Sequence, residues 1–213
     1  MKSHVVIIRM HYQEHDKRFP WRLAYFQAMV YPRLMNQTDK NFDIAIRCNQ
    51  WQEEAIKRID PRIITFQTRN QTVRYRMHRG KKYFYDFCKW KDVMGLRQYD
   101  IQTGLDSDDL VSRCFIERIK SEVNNAEGKK SLHISFQPEL FELKTLKTRS
   151  ITTKYGPKKG SAFLSLYQPN KKNYKFIYEE SHLDMWRHAK KSIIIPEGYC
   201  WATAHGLNES TRA

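Results

Sequence analysis

Asp106, Asp108 and Asp109 put three carboxylates within four residues, at the end of the stretch Tyr99-Asp100-Ile101-Gln102-Thr103-Gly104-Leu105-Asp106-Ser107-Asp108-Asp109. Two like unit charges about 4 Å apart repel by roughly 4 kcal/mol at an effective dielectric near ~20, so a fold that gathers them supplies a cation. Hard carboxylate oxygens suit Mg²⁺ or Mn²⁺. These ions take one or two carboxylates and complete their shell with water and substrate phosphates. A D-x-D turn at the end of a strand is thus a place to hold a metal–diphosphate. The same residue types also make an ordinary helix cap. Ser107 or Asp108 would then cap a helix in which Val111, Phe115, Ile119 and Val123 share one face.

Other side chains suited to chemistry lie far apart in the chain. His205, in Ala204-His205-Gly206-Leu207-Asn208, offers a neutral imidazole of the kind that binds Mn²⁺, although an isolated His is also an ordinary structural residue. Glu179, Glu180, His182, Asp184 and His188 crowd one short segment. One of its carboxylates could take a proton from an acceptor hydroxyl, or the segment is simply a charged helix surface. Arg9 ends the first apolar strand, where it suits either a phosphate or an ion pair. Arg74 and Arg76 belong to a basic cluster that runs from Arg69 to Lys82. That cluster reads as a loop folding over a phosphate-bearing ligand or as a solvated surface. Gly104 inside a strand implies a close approach by a ligand or a neighbouring backbone, or a bulge.

The elements that must position these groups alternate. Val5-Val6-Ile7-Ile8 makes a buried strand within His4 to Met10. Pro20 opens a helix with Trp21, Ala24, Tyr25 and Ala28 at helical spacing, ended or kinked at Pro32. Phe42, Ile44 and Ile46 alternate as a second strand, and a helix follows from Gln50 to Ile59. Arg62 to Phe66 is a third strand. Residues 67–82 read as a loop or irregular strand, and Tyr83 to Met94 as an aromatic-rich helix. Tyr99 to Leu105 is the fourth strand, which places the acidic turn at its carboxyl end. Later strands are expected at Leu132–Phe136, 161–167 and Ile193–Ile195, with an amphipathic segment at Ser181–Lys190 between the last two. Strand–helix alternation in the first half argues for a parallel sheet, and the less regular second half for a mixed sheet with a smaller antiparallel part. In such sheets ligands bind beyond the carboxyl ends of the strands.

The 213 residues suffice for one domain with a real core, and 40% hydrophobic residues exclude a disordered chain. No apolar run approaches a membrane span or the core of a secretory signal, so the expected location is cytoplasmic. Cys48, Cys88, Cys114 and Cys200 include no C-x-x-C pair and read as reduced, mostly buried thiols. A formal net charge of +15 predicts an anionic partner. P-loop, dinucleotide-binding and nucleophile-elbow patterns are all missing, which leaves P-loop NTPases, classical dinucleotide enzymes and α/β-hydrolases unsupported. A basic nucleic-acid-binding module or metal-dependent nuclease is the rival of another class, and an inactive scaffold domain a third.

The strand with Arg9, the segment from Gln37-Thr38 to Asn49, the run from Tyr99 to Asp109 and the terminal His205-Gly206-Leu207-Asn208 together resemble the GT-A-fold glycosyltransferases, in particular the rhamnosyltransferase family. The chain is similar, too, to glycosyltransferase domains of large algal viruses that act on capsid glycans. The host cytoplasm would then be its location, and the chain one module of a longer protein. The resemblance implies an α/β, Rossmann-like, mainly parallel sheet flanked by helices, in a single domain over 1–213. Residues 1–125 would form the nucleotide-sugar-binding half, and 126–213 the half that meets the acceptor and completes the metal site. It implies a nucleotide-diphosphate sugar donor, UDP-linked, and transfer of a hexose or a deoxyhexose such as rhamnose to a glycan or glycoprotein acceptor, with inversion. No nucleic acid and no membrane span are expected. Asp106 and Asp108 match the family's D-x-D and Asp109 its third acidic position. His205 would complete the Mn²⁺ or Mg²⁺ site. Arg9, Asn49, Arg74, Arg76, Asp106 and Asp109 would bind the donor, and Asp184, by position, would be the catalytic base.

Overall fold

The structure is a computed structural model. It describes residues 2–10, 18–67, 95–96, 98–126, 130–150, 163–169, 175–178, 185–196 and 198–203, together with the backbone alone of 72–78, 81–87 and 204.

The apolar runs form strands where their composition says they should. Strand β1 (His4–Arg9) is buried on both faces up to its last residue, as a central parallel strand must be. Strands β2 (Asp43–Arg47), β3 (Ile64–Phe66) and β6 (Ile101–Asp106) lie parallel to it, with β6 and β2 as its two neighbours. The second half of the chain extends the same sheet with β8 (Leu132–Phe136), β11 (Leu164–Tyr167) and β12 (Lys191–Ile195). The strand order is β12-β8-β11-β6-β1-β2-β3, and only β11 runs antiparallel to its neighbours. A second sheet, β10 (Lys147–Ser150), β9 (Glu139–Glu142), β13 (Cys200–Ala204) and β7 (Leu110–Val111), lies beside it.

Period-two alternation gives the large sheet two different faces. Val6, Ile8, Ile44, Ile46, Ile101 and Leu105 meet the helices in the larger core. Those helices are α1 (Arg18–Tyr25), α2 (Tyr31–Met35), α3 (Gln50–Lys57) and α4 (Phe115–Asn125). Val5, Ile7 and Ala45 face the other way, into a smaller core with Leu96, Tyr99, Phe176 and Ile177.

Three expectations from the sequence are corrected and one is narrowed. Of the end or kink expected at Pro32, the end does not occur there, because the helix runs on to Met35. A π-turn over Phe26–Val30, closed by the Tyr31 N–H to the Phe26 carbonyl, precedes it, and Pro32 stands in the first turn of α2. Proline lacks an N–H and crowds the carbonyl four residues back, so the wider turn lets the chain continue. Residues 72–78 and 81–87 pair as an antiparallel hairpin, β4 with β5, so Tyr83 begins no helix, and of the loop or irregular strand expected over 67–82 it is a strand that forms at 72–78 and from 81. Val73, Tyr75 and Met77 alternate with polar residues, and β5 is aromatic-rich; both traits favour a strand. The helix after the acidic turn begins at Phe115 with Cys114 as its N-cap, not at Ser107 or Asp108. Val111, expected on that helix, lies in β7 and pairs with Cys200. The Gln37 side chain carries part of the capping instead, accepting the Ile116 N–H at 3.0 Å.

Cys48 and Cys200 are buried and Cys114 is exposed. Burial pushes the Cys48 thiol up to about 12, so it stays protonated. No helix among the described residues is long and apolar enough to cross a membrane.

Candidate functional site

Three neighbouring parallel strands end together in charged residues. Arg9 is the register partner of Arg47 on one side and of Asp106 on the other. The row Arg47–Arg9–Asp106 therefore crosses the carboxyl edge of β2, β1 and β6. Arg9 and Arg47 follow Ile7 and Ala45 of the smaller core by two positions, and Asp106 follows Leu105 of the larger core by one, so the pleat sends all three to the face of the smaller core. The Arg9 Nε and Nη2 groups donate to Asp106 Oδ1 at 3.0 and 2.6 Å. Both side chains are about a third exposed, 37% for Arg9 and 34% for Asp106, so the pair lies open at the edge. Arg47 is buried at 1% exposure. Its charge acts on the hydroxyl of Tyr178, which stands on the same face.

The acidic turn follows directly. Because α4 starts only at Phe115, none of the three aspartates is its cap. The Asp109 N–H closes the turn on the Asp106 carbonyl at 3.2 Å. Asp108 is buried and forms an ion pair with Arg22 of α1, whose side chain is 13% exposed. Asp109 is buried as well. Burial, and then the charge of Asp106, raise its carboxyl well above the usual carboxylate range, against a hydrogen bond from the Thr203 backbone and the charges of Arg22 and Arg9. Thr203 belongs to β13 and shares a hydrogen bond of 3.1 Å with Tyr25 of α1. The turn is thus wedged between the large sheet, α1 and the small sheet. Its carboxylates diverge: Asp106 to the open edge, Asp108 to α1, Asp109 to β13.

The donors fit a hard divalent ion in kind. Asp106 presents carboxylate oxygen at the open edge with Asp109 close by, and one or two carboxylates are all that Mg²⁺ asks of a protein when phosphates fill the remaining positions. Among the described residues, no three His, Cys, Asp or Glu side chains form a cluster that could hold a metal. His205 and Asp184 lie outside the described residues, as do the side chains of Arg74 and Arg76, whose backbones are in β4.

Asn49 stands just past the end of β2, as the resemblance implied, and it has a structural task there. It is the N-cap of α3, accepting from the backbone of Gln52, while the Gln52 Oε1 accepts the Asn49 N–H at 2.8 Å.

Three residues of this edge were not singled out by sequence reasoning. Arg47 had a signal: β2 ends Ile-Ala-Ile-Arg much as β1 ends Val-Ile-Ile-Arg. Arg22 had none, since its pairing with Asp108 spans 86 residues of chain. Tyr178 was half-announced by Gly104, where the close approach inferred from the sequence is made by the tyrosine ring. A Cβ at Gly104 would stand 3.1 Å from the Tyr178 hydroxyl.

A family model described as "Putative rhamnosyl transferase" matches residues 7–213. No curated protein matches the sequence. Among solved structures, the chain is similar to S. aureus TarS, with a TM-score of 0.55 and 9% identity over 96% of this chain and 37% of that one. It is also similar to S. aureus TarS 1-349 in complex with UDP-GlcNAc, with a TM-score of 0.58 and 10% identity over 100% of this chain and 61% of that one. The chain spans less than two thirds of either. At such identity the likeness is one of fold, and the fold is GT-A-like. Taken with the match over nearly its whole length, this means that the chain belongs to the rhamnosyl transferase family of glycosyltransferases.

Proposed function

We propose that this chain transfers a hexose, or a deoxyhexose such as rhamnose, from a UDP-linked donor to a glycan acceptor, with inversion. The observation that carries the reading is the row Arg47–Arg9–Asp106 at the carboxyl edge, followed by an acidic turn that caps no helix. Family membership supports the reaction class. The UDP-GlcNAc complex of TarS supports the donor class, as an analogy of fold.

Each residue then has a chemical task. Arg9 and Arg47 lend positive charge to the edge where an anionic diphosphate would rest. Asp106 and the late His205 would hold Mn²⁺ or Mg²⁺; Asp108, the other metal ligand that the D-x-D implied, is engaged by Arg22. When bound, such an ion stabilises the charge that develops on a diphosphate leaving group. Asp108, through Arg22, ties the turn to α1 and so keeps Asp106 at the edge. Asp184 accepts the acceptor hydroxyl proton. Arg74 and Arg76 of the β4–β5 hairpin add donor contacts, and the excess of Lys and Arg steers the donor inward. Residues 1–125 carry the donor and residues 126–213 the acceptor.

The test is a thermal-shift panel of nucleotide sugars with and without Mn²⁺, followed by UDP release with a glycan acceptor. Metal-dependent protection by a UDP-sugar supports the reading. Protection by no nucleotide, together with steeply salt-dependent binding of RNA or DNA, overturns it in favour of a nucleic-acid module.

A further inference from the structure

Tyr178 belongs to neither the acidic turn nor the arginine row, yet it touches both strands that carry them. Its hydroxyl accepts the Leu105 N–H at 3.1 Å and donates to the Ile7 carbonyl at 3.0 Å. One side chain thereby bridges β6 and β1 just before they end in Asp106 and Arg9. The ring packs edge-on against Phe176, with centroids 6.0 Å apart and planes at 71°. It lies over Gly104, where a Cβ would stand 3.1 Å from the hydroxyl and 3.4 Å from Cζ. The Arg9 guanidinium carbon lies 5.0 Å from the centroid of this ring.

A guanidinium over an aromatic face is held by the ring quadrupole. Arg9 has most to gain from that support. It is long and a third exposed, and unsupported it would sample many rotamers at the edge. The hydroxyl cannot act as an acid near neutral pH, because burial raises it far above the range in which phenols ionise. Its contribution is to fasten the ring to two strand backbones.

We infer that Tyr178 is a positioning residue, whose ring is the platform that holds the Arg9 guanidinium where it pairs with Asp106 and faces the donor. The residue acts through Arg9 and touches no reacting atom. The part of the inference that concerns the donor rests on the proposed function; the platform itself does not.

The experiment reads both parts separately. The Nε–H resonance of Arg9 is recorded in a ¹H–¹⁵N spectrum and assigned by its loss in Arg9→Lys. Above an aromatic face it sits displaced by the ring current. Tyr178→Leu should return it to the ordinary arginine position and weaken UDP-sugar affinity about threefold to fivefold, the scale of a cation–π contact at a partly exposed site. Tyr178→Phe keeps the ring and should retain the displaced resonance and most of the affinity. The inference falls if the Arg9 resonance is unmoved in Tyr178→Leu, or if Tyr178→Phe is as impaired as Tyr178→Leu. Should the native protein bind no UDP-sugar, the donor reading fails while the resonance still decides the platform.

Discussion

Arg9 and Asp106 are register partners on adjacent parallel strands, and the same two residues form the ion pair that closes the carboxyl edge of the sheet. Backbone register thus delivers the side-chain contact: once β1 and β6 align, the guanidinium and carboxylate fall within reach. Because both are a third exposed, the pair adds little to stability and is available to a ligand.

That exposure separates the effects of Asp106 substitution. Asp106→Asn should leave the unfolding free energy within about 1 kcal/mol of the native protein's while lowering kcat/KM for the donor about a hundredfold or more. Coupled UDP-release kinetics and urea unfolding check the two halves of the statement.

Asp108 should behave in the opposite way to Asp106, because its carboxylate is buried and its ion pair with Arg22 is largely shielded from solvent. Arg22→Ala leaves a buried carboxylate without its guanidinium and should cost about 3 kcal/mol in unfolding free energy. Equilibrium urea unfolding measures it, and a loss no larger than that of Asp106→Asn would contradict the division of labour between the two aspartates.

Gly104→Ala places a methyl 3.1 Å from the Tyr178 hydroxyl, so ring or strand must give by a few tenths of an ångström. The expected cost is about 1 kcal/mol, the scale of mild overpacking. Combined with Tyr178→Leu, which removes the obstacle, the cost of Gly104→Ala should shrink; a double-mutant cycle on thermal unfolding tests this.

Stability should fall as pH drops below neutrality. Burial lowers His4 to about 3 and His133 to about 4, from an ordinary 6.5. Each is therefore neutral in the folded chain where the unfolded chain already binds a proton. Their contribution is complete above pH 6.5 and is lost as pH falls towards 4 and then 3. Asp109, whose carboxyl is raised, works in the opposite sense. Thermal unfolding between pH 7.5 and 4.5 should show the decline, and His4→Gln should flatten it.

Much of the large sheet could be read from the amino-acid sequence, for a local reason. Runs such as Val5-Val6-Ile7-Ile8 and the alternation of Leu132, Ile134 and Phe136 suit buried strands wherever they are placed. The acidic turn was legible too, because three carboxylates in four residues are anomalous without any structure. Segments whose state depends on a partner misled: Val111 follows a helical spacing, but Cys200 of β13 captures it for a strand. Only the tertiary structure decided that Asp106 faces Arg9, that Asp108 faces Arg22, and that Gly104 is vacant of side chain for the sake of Tyr178. Such contacts join residues dozens to nearly a hundred positions apart. Local pattern constrains strand and helix, whereas the choice of partner is made by register and packing once the chain has closed on itself.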